Sequence, residues 1–172
     1  MSRTVFINLV RFVVLVFIQV FLLKNLAVYN LPIPYLYILF LLSLPFGIPN
    51  ILLFALAFIT GLCVDAFYDT PGLHAAACVI LAFVRILFIN VTVSKEGFDN
   101  EPEPTLNIKG FRWFFAYAAT LTLIHHFFLF AIEYFNFSSL QYTVGHFLAS
   151  SFFTVILMLI SGALFFRRKE RK

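Results

Sequence analysis

The stretch FITGLCVDAFYDTPGLHAAACVILAFVR, residues 58–85, decides the fold. One apolar segment ends in Gly61 and Asp65, a short polar turn follows, and a second apolar segment begins behind Pro71 and Gly72. Because nearly everything around it is apolar, this concentration of glycine, aspartate and proline marks a specific feature. Two interpretations are open: a tight hairpin between two membrane helices, or a corner that binds a partner or a ligand.

The composition places the whole chain in a membrane. Of its 172 residues, 62% are hydrophobic and 12% are charged, and the mean hydropathy is +0.98. A soluble domain carries about 25% charged residues, so this chain cannot cover a surface that faces water. The net charge of +4 comes from basic residues near the ends and around one loop. That pattern is typical of membrane orientation, so we expect a lipid bilayer and no nucleic acid as partner.

We predict an all-α integral membrane protein, a six-helix transmembrane bundle in a single domain over residues 1–172. The predicted spans are residues 5–23, 31–46, 49–65, 73–92, 111–135 and 140–166. Residues 31–64 leave alternatives open, because Pro45, Gly47 and Pro49 interrupt them. They form either two short helices with a tight turn, or one long kinked helix or re-entrant pair.

The basic residues predict the orientation. By the positive-inside tendency, the basic tail at residues 167–172 is cytoplasmic. Counting spans back from it, Arg3 and Arg11 are also cytoplasmic only if residues 31–64 cross twice. We therefore predict six spans with both termini in the cytoplasm. Arg11 and Arg85 are each expected to extend to the cytoplasmic interface rather than to stay buried.

The one strongly polar stretch, residues 92–110, contains the sequence Glu-Pro-Glu-Pro at 101–104. Proline at alternate positions excludes a helix interior there. We expect a solvated cytoplasmic loop, and it is the only predicted cytoplasmic loop large enough to bind a soluble partner.

The sequence shows no catalytic, cofactor or metal site. His125 and His126 are adjacent, so on a helix they point about 100° apart and cannot share one metal. Cys63, Cys78 and His146 add no recognised ligand spacing. Ionisable residues at membrane depth remain functional candidates because burying them is costly. The predicted topology places five of them in the outer half of the membrane: Asp65, Asp69, His74, Glu133 and His146.

The chain resembles the MreD family, the rod-shape-determining membrane proteins of bacteria. The resemblance covers the length, the number of helices, the basic tail and the motif G-x-x-x-D, a short turn and a glycine. The motif reads Gly61 to Asp65, then residues 66–71, then Gly72, with Pro71 where the family usually has leucine. An upstream proline region is matched by Pro34-Tyr35-Leu36-Tyr37-Ile38-Leu39.

The resemblance implies a six-helix fold like the substrate-binding components of energy-coupling-factor vitamin transporters. It also implies a non-catalytic scaffold of the cell-elongation machinery in the bacterial cytoplasmic membrane. The implied partners are MreC, which has a single membrane span, and the peptidoglycan-synthesising complex. The candidate motif and interface residues are Gly61, Asp65, Pro71, Gly72, Pro34 and Arg85.

The alternative function is a small-molecule-binding membrane component of a vitamin-type transporter, which would need a cavity lined by polar and aromatic groups. For the motif itself, spacing predicts that Gly61 and Asp65 share one face of the third helix. We expect them to shape the hairpin: Gly61 admits a neighbouring backbone. Asp65 needs donors from the amides of the following turn, from His74 or from a residue on another helix, because a helix C-terminus disfavours negative charge.

Overall fold

The protein is an all-helical multi-pass membrane protein. A computed structural model describes residues 3–29, 31–93, 104, 106–133 and 140–165, and these contain no β-strand. The described residues include five helices that are long and apolar enough to cross a membrane. The spans are Val5–Ala27, Asn50–Tyr68, Leu73–Thr92, Phe111–Ile132 and Thr143–Leu164. The all-α prediction is confirmed, whereas the count of six helices is not.

The described residues form seven α-helices, two of which are short. They are α1 (Arg3–Ile18, continued by a π-helical turn Gln19–Leu23 and a 3-10 turn Lys24–Tyr29), α2 (Ile38–Leu42), α3 (Asn50–Tyr68), α4 (Leu73–Thr92), α5 (Leu106–Lys109), α6 (Phe111–Glu133) and α7 (Leu140–Phe165). Asp69 ends α3 in the left-handed region at φ 56°, and Gly72 begins α4 at φ 87°. Most of the predicted polar loop and the basic tail lie outside the described residues.

The second predicted span, residues 31–46, is not a membrane-length helix. Only α2, five residues long, is helical within it. Pro32 and Pro34 lack an N–H and push the residues before them away from helical backbone. All ten residues from 35 to 44 are nevertheless buried, as non-helical backbone at membrane depth must be. We call residues 31–45 the core segment. Residues 31–64 are therefore not one long kinked helix, because the short α2 and the full-length α3 are separated by residues 43–49.

The core segment crosses the bundle between α1, α4 and α6. The Tyr37 hydroxyl meets His74 in the first turn of α4, and the carbonyl of Leu44 meets Arg85 further along the same helix. At 1.5 Å per residue, His74 and Arg85 are about 16 Å apart along α4. The core segment therefore runs parallel to α4 through the middle of the molecule.

Among the remaining helices, α1 and α3 run in the same direction, and α3, α4, α6 and α7 alternate. Gln19 of α1 donates to Tyr68 at the end of α3, and Phe88 near the end of α4 packs on Trp113 at the start of α6. Contacts between α6 and α7 pair early residues of one helix with late residues of the other: Thr122 with Met158, His126 with Thr154, and Phe130 with Phe147. The beginning of α1 and the end of α7 consequently lie on the same side of the bundle.

Candidate functional site

Asp65 is buried at the end of α3 and caps the next helix. Its Oδ1 accepts hydrogen bonds from the backbone N–H of His74 (2.9 Å) and from the Thr70 hydroxyl (3.0 Å). Its Oδ2 accepts from the backbone N–H of Ala75 at 3.0 Å. These amides belong to the first turn of α4, where Gly72 stands at the N-cap without a capping side chain. The positive end of α4 thus offsets the unfavourable position of the carboxylate at the negative end of α3.

Gly61 lies one turn before Asp65, where the backbone of α4 passes close to α3. A Cβ atom at this position would come within 2.3 Å of the Ala75 Cα and 2.6 Å of the His74 carbonyl carbon. Those are backbone atoms, which cannot move aside as a flexible side chain does. The absence of a side chain at residue 61 therefore sets the distance at which Asp65 reaches the amides of α4. We call Gly61, Asp65 and the two amides of α4 the Asp65 cap.

The turn between the helices closes this hairpin. Thr70 contributes its hydroxyl to Asp65, and its carbonyl accepts from the N–H of Leu73 at 3.3 Å. Pro71 is exposed and precedes Gly72, whose positive φ favours glycine. Four of the candidate residues thus come together in one structural unit, but Pro34 and Arg85 do not belong to it.

Arg85 is buried deep in the bundle, with 1% of its surface exposed. The interpretation that it extends to the interface was wrong. Its Nη2 donates to the carbonyls of Leu44 and Pro45, the latter at 3.3 Å, and its Nε donates to the Tyr117 hydroxyl at 3.0 Å. The partners in the described residues are neutral oxygens at the end of the core segment. Because Pro45 ends that segment, the carbonyls before it have no continuing helix to pair with.

Two further side chains bond the same end of the core segment. The Tyr117 hydroxyl donates to the carbonyl of Leu42 at 3.0 Å. Arg11 of α1, which is only partly buried, donates from Nη1 to the carbonyl of Ser43 at 3.2 Å. We call Arg11, Arg85 and Tyr117 the arginine clasp. Cations and hydroxyl donors here satisfy carbonyls that water would satisfy outside a membrane, and positive charge is favourable at a helix C-terminus.

Pro34 lies at the opposite end of the core segment, where the chain enters the bundle. The residue after it, Tyr35, donates its N–H to the hydroxyl of Thr154 on α7 at 2.9 Å. His126 lies against the same hydroxyl, with its Nε2 at 3.1 Å, and its Nδ1 donates to the Thr122 carbonyl at 2.9 Å. Pro34 is buried and keeps the entry extended, so that α6 and α7 can hold it.

A buried polar cluster surrounds Tyr37. The Tyr37 hydroxyl lies 3.0 Å from Nδ1 of His74 and 2.9 Å from Nε2 of His125, and the Cys78 sulfur is 3.7 Å away. Since the hydroxyl carries one proton, it donates to one ring nitrogen and accepts from the other. Tyr37, His74 and His125 are each no more than 1% exposed. This cluster joins the core segment to α4 and α6.

The cluster lacks the geometry of a metal centre. Within the described ranges, no three His, Cys, Asp or Glu side chains are arranged to hold a metal ion. The adjacent histidines face different partners, since His125 meets Tyr37 whereas His126 meets Thr122 and Thr154. Both cysteines are free thiols, Cys78 being buried and Cys63 partly exposed. Of the other outer polar candidates, Asp69 is exposed and His146 partly exposed, and the side chain of Glu133 lies outside the description.

Two of the concavities on the surface of the described part lie beside these sites. A shallow one of about 400 Å³ lies beside the hairpin, and its lining includes Asp65, Asp69 and Pro71. A larger groove of about 560 Å³ runs between α1, the end of the core segment and α3. Apolar side chains form nearly all of its wall, and Asn8 and Thr60 are the two polar residues in it.

Comparison of the chain with family models, with curated proteins and with solved structures finds no match. The hairpin, the clasp and the grooves are therefore interpreted from their own geometry.

Sequence reasoning overlooked Tyr37, Tyr117 and Thr154, which make the central contacts of the bundle. The chain has many tyrosines and threonines, so the sequence does not show which of their hydroxyl groups are buried and bonded. The available clue was Arg85 at membrane depth, because a buried guanidinium requires acceptors nearby. The two prolines before Tyr35, Pro32 and Pro34, were a second clue, since they exclude an ordinary helix there.

Proposed function

We propose that this chain is a non-catalytic membrane scaffold of the MreD type. In this proposal it lies in the bacterial cytoplasmic membrane with both termini in the cytoplasm. It holds an MreC-like single-span partner and the cell-wall synthesis complex, and so maintains rod shape. The proposed fold relationship is to the substrate-binding components of energy-coupling-factor transporters, with the core segment taking the place of one of six helices.

The observation that carries the proposal is that the Asp65 carboxylate is fully engaged in hydrogen bonds within the hairpin. Both carboxylate oxygens accept hydrogen bonds from the first turn of α4 and from Thr70. A carboxylate engaged in this way has a structural role, and it is not poised to act on a substrate as acid, base or nucleophile. The residues that carry the family resemblance thus build a rigid hairpin, as a scaffold requires.

The path of the chain supports the proposed orientation. The beginning of α1 and the end of α7 lie on one side of the bundle, as two cytoplasmic termini require. Reporter fusions at the two termini test this directly, and we expect both to report the cytoplasm. A terminus found outside the cytoplasm would contradict the topology.

Co-purification tests the scaffold role. Tagged protein is extracted in mild detergent and its retained partners are identified by mass spectrometry. We expect a single-span membrane protein, reduced in the Asp65→Ala variant and unchanged in Gly145→Ala, since a Cβ at residue 145 meets open space. Well-folded protein that retains no membrane partner would overturn the proposal.

A second candidate function, solute binding, is favoured by the Tyr37 cluster. It concentrates tyrosine and histidine in the bundle, and Nδ1 of His125 is buried without a hydrogen-bond partner in the described residues. Against it, the Tyr37 hydroxyl is already occupied by two histidines. A small molecule that co-purifies with the wild type but not with His125→Phe, at equal thermal stability, would favour this function over the scaffold.

A further inference from the structure

The groove between α1 and α3 has the dimensions of half a membrane. On α1 it extends from Val5 to Phe12, and on α3 from Leu52 to Thr60. At 1.5 Å per residue these distances are about 10 Å and 12 Å. One leaflet of the hydrocarbon core is about 15 Å thick. The groove therefore lies within a single leaflet, on the side where α1 begins.

The groove accommodates a slender apolar chain. Its volume is about 560 Å³ over a length of about 10–12 Å, and apolar side chains form nearly all of its wall. The edge of the Phe40 ring against Phe12, with centroids 5.2 Å apart, forms part of the inner wall.

Asn8 supplies a polar contact in this apolar wall. Its Oδ1 accepts a hydrogen bond from Arg11 at 3.1 Å, so its Nδ2 amino group points elsewhere. Among the described residues that amino group has no hydrogen-bond partner. The other polar residue of the wall, Thr60, is already satisfied, because its hydroxyl donates to the Leu56 carbonyl at 2.6 Å. The groove thus offers one unpaired donor, which is costly in hydrocarbon.

We propose that the groove binds an acyl chain of a glycerophospholipid, whose ester carbonyl accepts from the Asn8 amino group. The position of Asn8 suits this contact, since it lies one turn inside the apolar run that begins at Val5. Ester groups lie at that boundary between headgroup and hydrocarbon. The guanidinium of Arg11, bonded to Asn8, adds positive charge beside the ester. This site is independent of the proposed scaffold function.

The test compares two lipids that differ only in the ester. Dioleoyl phosphatidylglycerol and its ether-linked analogue, which lacks the carbonyl, are offered in equal amounts to the full-length purified protein. Retained lipid is counted by native mass spectrometry. We expect the wild type to retain the ester lipid in roughly three- to tenfold excess, the effect of one hydrogen bond.

Asn8→Asp is the decisive variant. It keeps an acceptor for Arg11 and the shape of the side chain, but it has no amino group. We expect it to retain both lipids equally. Thr60→Val is the matched control, because the Thr60 hydroxyl is already used within α3, and it should keep the preference. A wild type without preference, or an Asn8→Asp protein that keeps it, would overturn the ester contact.

A second pair of variants tests the groove itself. Leu56→Trp fills the groove and should reduce retention of both lipids, whereas Leu62→Trp on the exposed side of α3 should not. Equal retention by both variants would place the lipid elsewhere. Loss of lipid from the wild type, with crosslinking of residue 9 to a co-purified single-span protein, would assign the groove to a helix and refute the proposal.

Discussion

The Asp65 cap and the arginine clasp solve the same physical problem at opposite ends of a helix. A carboxylate satisfies the free amides at the start of α4, whereas guanidinium and hydroxyl donors satisfy the free carbonyls at the end of α2. Both choices agree with the helix dipole, and neither end can rely on water. The two sites differ in how far apart in the sequence their bonded residues are. Asp65 bonds residues 5 to 10 positions away, whereas the clasp joins residues 32 to 75 positions apart.

This difference predicts how each site fails. The cap is local to a hairpin, so its loss should loosen α3 against α4. The clasp ties α1, α4 and α6 to the core segment, so its loss should release the centre of the bundle. Loss of the charged residue of the clasp, Arg85, is therefore expected to cost more than loss of the charged residue of the cap, Asp65.

The largest effect is expected from Arg85→Met. It leaves the carbonyls of Leu44 and Pro45 without a donor and removes a partner of Tyr117. At about 1–3 kcal/mol for each unsatisfied buried group, the loss of stability should be about 4 kcal/mol. Thermal unfolding in detergent measures it, with the exposed Arg112→Met as control. An Arg85→Met protein as stable as that control would show that the clasp contributes nothing.

Gly61→Ala is expected to come next, at about 3 kcal/mol, because the added methyl group overlaps the backbone of α4. The same assay measures it. Gly145→Ala is the matched control on α7, where the added methyl meets open space and alanine favours the helix. Equal stability of the two variants would mean that α3 and α4 can separate at little cost.

Asp65→Ala should cost about 2 kcal/mol, since two amides of α4 and the Thr70 hydroxyl lose their acceptor. Asp65→Asn should cost about half as much, because it keeps one oxygen and turns an amino group toward one amide. Stability and partner retention are measured together for both. A stable Asp65→Ala protein that binds its partner but does not support cell shape would refute the structural role.

Tyr117→Phe should have the smallest effect, about 1 kcal/mol. The ring stays packed on Trp113, while the hydrogen bonds to Leu42 and from Arg85 are lost. The double variant with Arg85→Met and Tyr117→Phe is also measured. Because residues of one hydrogen-bond network couple, its loss of stability should differ from the sum of the two single losses. Strictly additive losses would show that Tyr117 and Arg85 act separately.

The resemblance of a short motif was enough to locate the hairpin, but not the interior. Gly61 and Asp65 lie one helical turn apart, and their neighbours follow within ten residues, so local rules describe their contacts. Arg85 was misplaced because its depth alone did not reveal the carbonyls of the core segment. The bond from Arg11 to the Ser43 carbonyl was likewise not predicted, since the acceptor is 32 residues away.

The sequence by itself determined that this is an all-helical membrane protein with a tight hairpin at Asp65. Hydropathy determines whether a segment lies in lipid or in water, and proline and glycine act on the backbone of neighbouring residues. Both effects can therefore be predicted from the sequence. Only the tertiary structure decided that residues 31–45 form a buried core segment. Such a backbone in a membrane is stable only when other helices supply its hydrogen-bond partners. The Thr154 hydroxyl accepts from the Tyr35 N–H, whereas Arg11, Arg85 and Tyr117 donate to carbonyls of the core segment, and none of these residues is near it in the chain. Their convergence is a property of the packed bundle.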